Sequence, residues 1–203
     1  MSAASTRIDL LRHGECVGGD IFRGSTDCAL SAAGWRQMEA AVADLAWEQI
    51  IASPLRRCRR FAEHLGQRLG VPVRLDDDWR ECHFGVWEGR LCADLWAAQP
   101  AVLQRYFADP SSYTPAGGEP YSALALRVAR AWQNLIAAHC GKRVLVIAHG
   151  GTLCALYLHL LALPAACFTR FAVPHACLSR WLCYPQAPER PVLIFHNRGG
   201  DHA

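Results

Sequence analysis

The chain of 203 residues has no linker-like stretch, no internal repeat and no low-complexity segment, so nothing divides it, and a single domain over residues 1–203 is expected. It has no block of basic residues, and a net charge of +3 is too slight to attract nucleic acid. A leader is also missing: Met1-Ser2-Ala3-Ala4-Ser5-Thr6 has neither a charged region nor an apolar one, which points to a cytoplasmic protein. The tract from Leu153 to Phe168, rich in leucine and alanine, is shorter than the ~20 residues needed to span a bilayer and contains His159 and Pro164. It reads as a buried helix, and no membrane partner is expected.

The ten cysteines include no C-x-x-C and none of the paired spacings of zinc ligands, so no metal site is expected. In a reducing compartment they should be mostly free thiols packed as small hydrophobes, with Cys58 and Cys82 placed to report oxidation. What the chain does have is a globular composition, 52% hydrophobic and 19% charged.

Strand and helix patterns alternate, the mark of an α/β sandwich with helices on both faces of a mostly parallel sheet. An apolar run at Ile8 to Leu10 is followed by a helix from an N-cap at Ser31 to about Ala46, and a short strand follows at Ile50 to Ala52. Ser53-Pro54 opens the next helix with proline at its first position, and a strand runs from Val71 to Leu75. The text from Leu91 to Tyr113 is helical but broken by Pro100 and Pro110, and residues 91–118 read as an insertion over the sheet edge. An amphipathic helix through Leu124 to Ala138 leads to a buried strand, Arg143 to Ala148. Two further strands, Cys177 to Cys183 and Val192 to His196, are joined by a turn from Pro185 to Pro191.

Two of these strands end in a histidine beside glycine, Arg12-His13-Gly14 and His149-Gly150-Gly151. A parallel sheet brings both imidazoles to one rim, where open α/β sheets bind ligands. Arg12 adds a planar fork of donors suited to a tetrahedral dianion, and Arg56, Arg57, Arg59 and Arg60 supply four more guanidinium groups at a helix start. Helical spacing lets only one or two of those four enter a single pocket. Glu81 and Glu88 lie among aromatics and glycines, and a carboxyl against apolar rings can keep its proton near neutral pH, as a general acid must.

Four segments in order, L-R-H-G-E from Leu11, S-P-L-x-R from Ser53, E-x-x-F-G-x-W-E-G from Glu81 and A-H-G-G from Ala148, resemble the histidine phosphatase superfamily. The resemblance implies a phosphoglycerate mutase-like, three-layer α/β/α sandwich and an enzyme that needs no cofactor. It implies that His13 is the nucleophile that becomes phosphohistidine, that Glu81 protonates the leaving oxygen, and that Arg12, Arg57 and His149 hold the phosphoryl oxygens. Phe22-Arg23-Gly24-Ser25-Thr26-Asp27, with Leu30-Ser31 and Gly34, is similar to the α-ribazole phosphatase branch of cobalamin synthesis, which would place Arg23 and Ser25 on the substrate side.

The expected activity is hydrolysis of a small phosphate ester, with α-ribazole 5′-phosphate as the leading substrate. A phosphoglycerate mutase-type transfer and a non-catalytic module that binds a phosphorylated ligand are the alternatives. The aromatics Trp96, Tyr106 and Phe107 read as exposed, open to two uses, capping the site or forming a homodimer.

Overall fold

The structure is a computed structural model and describes residues 4–198, so Met1 to Ala3, on which the leader reading partly rests, lie outside it. Among the described residues, six strands form one sheet in the order β3-β2-β4-β1-β5-β6. These are β1 (Thr6–Arg12), β2 (Gln49–Ala52), β3 (Val73–Leu75), β4 (Arg143–Ala148), β5 (Leu178–Tyr184) and β6 (Ala187–Phe195). β1 pairs parallel with β4, and β2 pairs parallel with both β3 and β4, whereas β5 and β6 run antiparallel.

Alternation along the central strands makes the sandwich. Ile8, Leu10, Val144 and Val146 face one core, shared with Leu124 and Val128 of α5 (Tyr121–Ala138) and Leu153 and Leu156 of α6 (Gly150–Leu160). Leu11, Leu145 and Ile147 face the other, against Met38 of α1 (Ala32–Ala41) and Phe61 and Leu65 of α2 (Arg56–Leu69). Two apolar faces on every central strand require helices on both sides, and the expected three-layer α/β/α fold is what forms. Among the described residues no helix is long and apolar enough to cross a membrane.

Several boundaries differ from the sequence reading, each for a local reason. Helix α1 stops at Ala41 rather than about Ala46, because the chain turns through Asp44 at φ 59°. Leu55 is extended, so α2 begins at Arg56 and Pro54 lies outside it. β3 begins at Val73, since Pro72 has no N–H for the ladder. The joint between β5 and β6 is a short turn, and Pro191 sits inside β6, which tolerates proline as an edge strand. The tract from Leu153 to Phe168 is not one helix: α6 ends at Leu160, and Ala165–Arg170 is a separate 3-10 segment. Residues 91–118 contain α3 (Cys92–Ala98) and α4 (Pro100–Ala108), whose Leu95, Leu103 and Tyr106 pack on Phe22 and Trp87 beside the cavity described next.

Candidate active site

The register of the sheet assembles the site. Arg12 pairs with Ala148, so the next residues, His13 and His149, leave the sheet side by side, with the His13 amide donating to the Ala148 carbonyl at 3.0 Å. Their ring centroids are 5.2 Å apart in an edge-on arrangement. Ala52 pairs with Ile147, which brings Ser53 and the start of α2 to the same rim. β5 is antiparallel and starts opposite Leu11, so the loop that precedes it arrives there too and places His175 with its ring centroid 5.7 Å from that of His13.

Hydrogen bonds set the tautomers. His13 Nδ1 lies 2.7 Å from the Gly14 carbonyl, which can only accept, so Nδ1 carries the proton and the Nε2 lone pair is free. His149 Nδ1 accepts from Arg57 Nε at 3.0 Å, and its Nε2–H then donates to Ser53 Oγ at 2.7 Å. Burial first, then the charges of Arg12 and Arg57, holds the His13 pKa well below the ordinary imidazole value. The same holds for His149, through burial and then Arg57. His175 is pushed down to about 4 by burial and Arg12. All three rings are neutral at pH 7, and His13 has the form a nucleophile needs.

The arginines divide by the company they keep. Arg12 donates from Nη1 to the Val173 carbonyl at 2.6 Å, while its buried Nε has no partner among the described residues. Arg57, fully buried, gives Nε to His149, Nη1 to the Thr26 carbonyl and Nη2 to the carbonyls of Arg23 and Gly24. Only one of its five N–H groups is left over. Arg23 donates to the carbonyls of Val17 and Gly19.

Glu81 does not sit against apolar rings as the sequence suggested. Its carboxylate accepts from the amides of Gly151 at 2.9 Å and Thr152 at 3.0 Å, from the Thr152 hydroxyl and from its own neighbour Cys82. It therefore caps the positive end of α6, one turn from His149. Glu88, the other candidate, is spent on structure, accepting from the amides of Ser25, Thr26 and Phe84 and from the Thr26 hydroxyl. Burial opposes its charge, but the hydroxyl and the amides outweigh that and keep its pKa below the usual range.

A cavity of about 850 Å³ opens over this rim. Arg12, His13, Arg23, Glu81 and His175 line it, and Phe22, Phe84, Tyr106, Phe107, Tyr121 and Phe168 form an apolar wall. Arg57 and His149 stand behind the lining, and Ser25 is held by its amide on Glu88 rather than in the wall. Tyr106 is buried and Phe107 stacks on Trp96, so two of the three aromatics expected on the surface belong to the cavity wall. Burial pushes the thiols of Cys58 and Cys82 up, which removes the reactivity that oxidation sensing would need.

Two residues escaped the sequence reading. His175 lies in an irregular loop with no periodic signal, and only the antiparallel pairing of β5 with β1 brings it to the site. Arg127 reads as a polar position on an amphipathic helix. It forms a bidentate pair with Glu119, at 2.7 and 2.8 Å, and donates to the carbonyls of Asp78, Arg80 and Glu81, fixing the segment that presents Glu81.

The loop after β1 lies backbone to backbone on the first turn of α1. A Cβ on Gly14 would stand 2.1 Å from the Gly34 carbonyl oxygen. Gly14→Ala is expected to cost about 2–3 kcal/mol, since neither backbone can retreat. Thermal unfolding should show the midpoint down by about 4–12 °C, and an unchanged midpoint would contradict the close approach.

The family model described as histidine phosphatase superfamily (branch 1) matches residues 8–193. A bifunctional protein of Mycobacterium tuberculosis is 35% identical over 150 residues, 71% of this chain and 41% of that protein. The chain thus spans about two fifths of the length of the first curated relatives it matches. Among solved structures, a mycobacterial glucosyl-3-phosphoglycerate phosphatase is similar at a TM-score of 0.85 and 29% identity, covering 96% of this chain and 100% of that one. The α-ribazole phosphatase of Shigella flexneri is similar at a TM-score of 0.81 and 25% identity, covering 95% and 96%.

Proposed function

The chain belongs to the histidine phosphatase superfamily, and from that premise we propose that it is a phosphomonoesterase that works through a phosphohistidine at His13. One observation carries the reading: a buried, neutral imidazole with a free Nε2 shares a cavity with an arginine whose Nε has no partner among the described residues and with the carboxyl group of Glu81.

In the proposed cycle His13 Nε2 attacks phosphorus and the ester oxygen departs, taking a proton from Glu81. Water then attacks the phosphohistidine, with Glu81 recovering the proton, and phosphate leaves. Covalent catalysis splits one difficult displacement into two, and the remaining demand is positioning and charge. Arg12 supplies donors to the phosphoryl oxygens. Arg57 and His149 contribute from behind, through the guanidinium charge, the one remaining N–H, and the support they give His13 and the 23–26 loop. Glu81 is pinned by the amides of α6, so it needs no movement between its acid and base roles.

The substrate is a phosphate ester with a sizeable leaving group. A cavity of about 850 Å³ with six aromatic side chains in its wall is larger than a glycerate requires. α-Ribazole 5′-phosphate fits this reading through its aromatic base, and a glucosylated phosphoglycerate fits through its size. Arg23, in the cavity lining, would meet the polar part of either.

A screen of phosphate release tests both levels. Esters with an aromatic or bulky alcohol are expected to show kcat/KM about 10- to 100-fold above glycerol phosphate, the return on about 1.5–3 kcal/mol of buried apolar contact. Equal rates for all esters would remove the apolar wall from substrate recognition. Interconversion of phosphoglycerates primed by 2,3-bisphosphoglycerate, without net phosphate release, would replace the phosphatase by the mutase.

A further inference from the structure

His13 and His149 are tied down by hydrogen bonds, and the third imidazole at the rim is not. His13 Nδ1 meets the Gly14 carbonyl, and His149 has one nitrogen on Arg57 and the other on Ser53, whereas neither ring nitrogen of His175 has a partner among the described residues. The His175 ring lines the cavity beside that of His13, with 5.7 Å between centroids and a tilt of 45°.

The loop Val173-Pro174-His175-Ala176-Cys177 holds that ring in place. Its Cys177 amide donates to the Pro174 carbonyl at 3.0 Å, closing a tight turn in which Ala176 takes the left-handed conformation at φ 56°. Glycine adopts this backbone without strain, so an alanine here is held by its surroundings. Those surroundings are the nucleophile's own segment: the Arg12 amide donates to the Cys177 carbonyl at 3.0 Å, and the Ala176 amide to the His13 carbonyl at 3.2 Å. The Arg12 side chain reaches the Val173 carbonyl at 2.6 Å. One loop therefore fixes His175 relative to both the nucleophile and the lining arginine.

On the phosphatase reading above, we propose that His175 is a further catalytic residue, donating a ring N–H to the phosphoryl oxygen that Arg12 leaves uncovered.

A transferring phosphoryl group presents three oxygens, and a planar guanidinium pairs with two of them at most. His149 has no N–H to offer, because its Nε2–H goes to Ser53 Oγ, and Arg57 keeps only one; neither residue lines the cavity. Arg23 does line it, but its Nη2 is turned to the carbonyls of Val17 and Gly19. His175 stands in the lining with both ring nitrogens uncommitted. An oxygen on a phosphoryl group carried by His13 Nε2 fits between the two rings, at a hydrogen-bond distance of about 2.8–3.0 Å from His175. Burial, then the charge of Arg12, pushes the His175 pKa down to about 4, so the ring is neutral at pH 7 with one N–H and one lone pair. The N–H turns to the anion, which repels the lone pair.

The test compares His175→Ala, His175→Gln and His175→Asn with the parent in ester hydrolysis and in binding of inorganic phosphate. The two amides place an N–H where Nε2 or Nδ1 of the ring stands, so one of them restores the donor. His175→Ala is expected to lower kcat/KM by about 100-fold or more, the usual effect of losing one donor to a developing oxyanion, and to weaken phosphate binding about 10-fold. The better amide should return kcat/KM to within about 10-fold of the parent, a rescue that a ring serving only to pack would not allow. Activity of His175→Ala within about threefold of the parent, or two amides no better than alanine, would overturn the assignment. If the parent hydrolyses no ester, the phosphatase reading fails by itself. Phosphate binding needs no turnover and still decides the donor, and equal affinity in the parent and His175→Ala removes it.

Discussion

Replacing His13 by asparagine is expected to lower ester turnover by at least about 10⁴-fold, in line with removal of other covalent nucleophiles, while inorganic phosphate or vanadate still binds within a few-fold of the parent. Asparagine keeps a side-chain N–H that can donate to the Gly14 carbonyl, as Nδ1 of His13 does at 2.7 Å, so the loop stays in place. It lacks the one atom the reaction needs, the Nε2 lone pair. The anion's donor remains, since the Arg12 Nε has no partner among the described residues. Loss of turnover with retained anion binding separates an enzyme from a module that only holds a phosphorylated ligand. A labelled phosphate ester quenched in milliseconds should mark the parent protein and leave the variant unmarked. Equal turnover in the two would end the case for a phosphohistidine.

Much of this arrangement is legible in the chain, because the signals are local. Apolar runs bounded by glycine and proline mark the four parallel strands, and two histidines at strand ends mark the rim. What is not legible comes from pairing between distant segments. Asp9 looks like an interruption in an apolar run, yet it is buried and held by the Trp47 indole at 2.8 Å and by a bidentate contact from Arg180 at 2.8 and 2.9 Å. Nothing local announces a partner 171 positions away. Glu81 shows the same limit from the other side. Its aromatic neighbours in sequence suggest an apolar pocket, but the fold turns its carboxylate onto the first amides of α6. The α1 end and the Pro191 position failed for a smaller reason: helix ends and edge strands are decided by single residues whose backbone angles periodicity does not encode.

Acid is expected to unfold this protein early, with stability falling by about 3 kcal/mol between pH 6.5 and pH 5. His13 and His149 are buried and neutral, with folded pKa values well below the unfolded value near 6.5. In the window between the two values the unfolded chain binds protons that the folded chain refuses, so stability is complete above pH 6.5 and drains away as pH drops. Each such histidine contributes a slope that is half of about 1.4 kcal/mol per pH unit at the unfolded pKa and reaches that value below it, so two over one and a half units give about 3 kcal/mol. His175, with its pKa near 4, acts in the same direction but more weakly, since water screens it in part. Glu88 adds its own loss only at lower pH, because a carboxylate whose pKa is depressed withdraws its support as pH falls through the acid range. Set against the 5–15 kcal/mol typical of a folded domain, the histidine term alone consumes a large share. Urea midpoints at pH 7.5, 6.5, 5.5 and 5.0 would measure it, and His13→Asn should remove about half of the slope. A midpoint independent of pH over that range would mean that the two rings take up protons in the folded chain as readily as in the unfolded one, so that neither burial nor the arginines keep His13 neutral in acid.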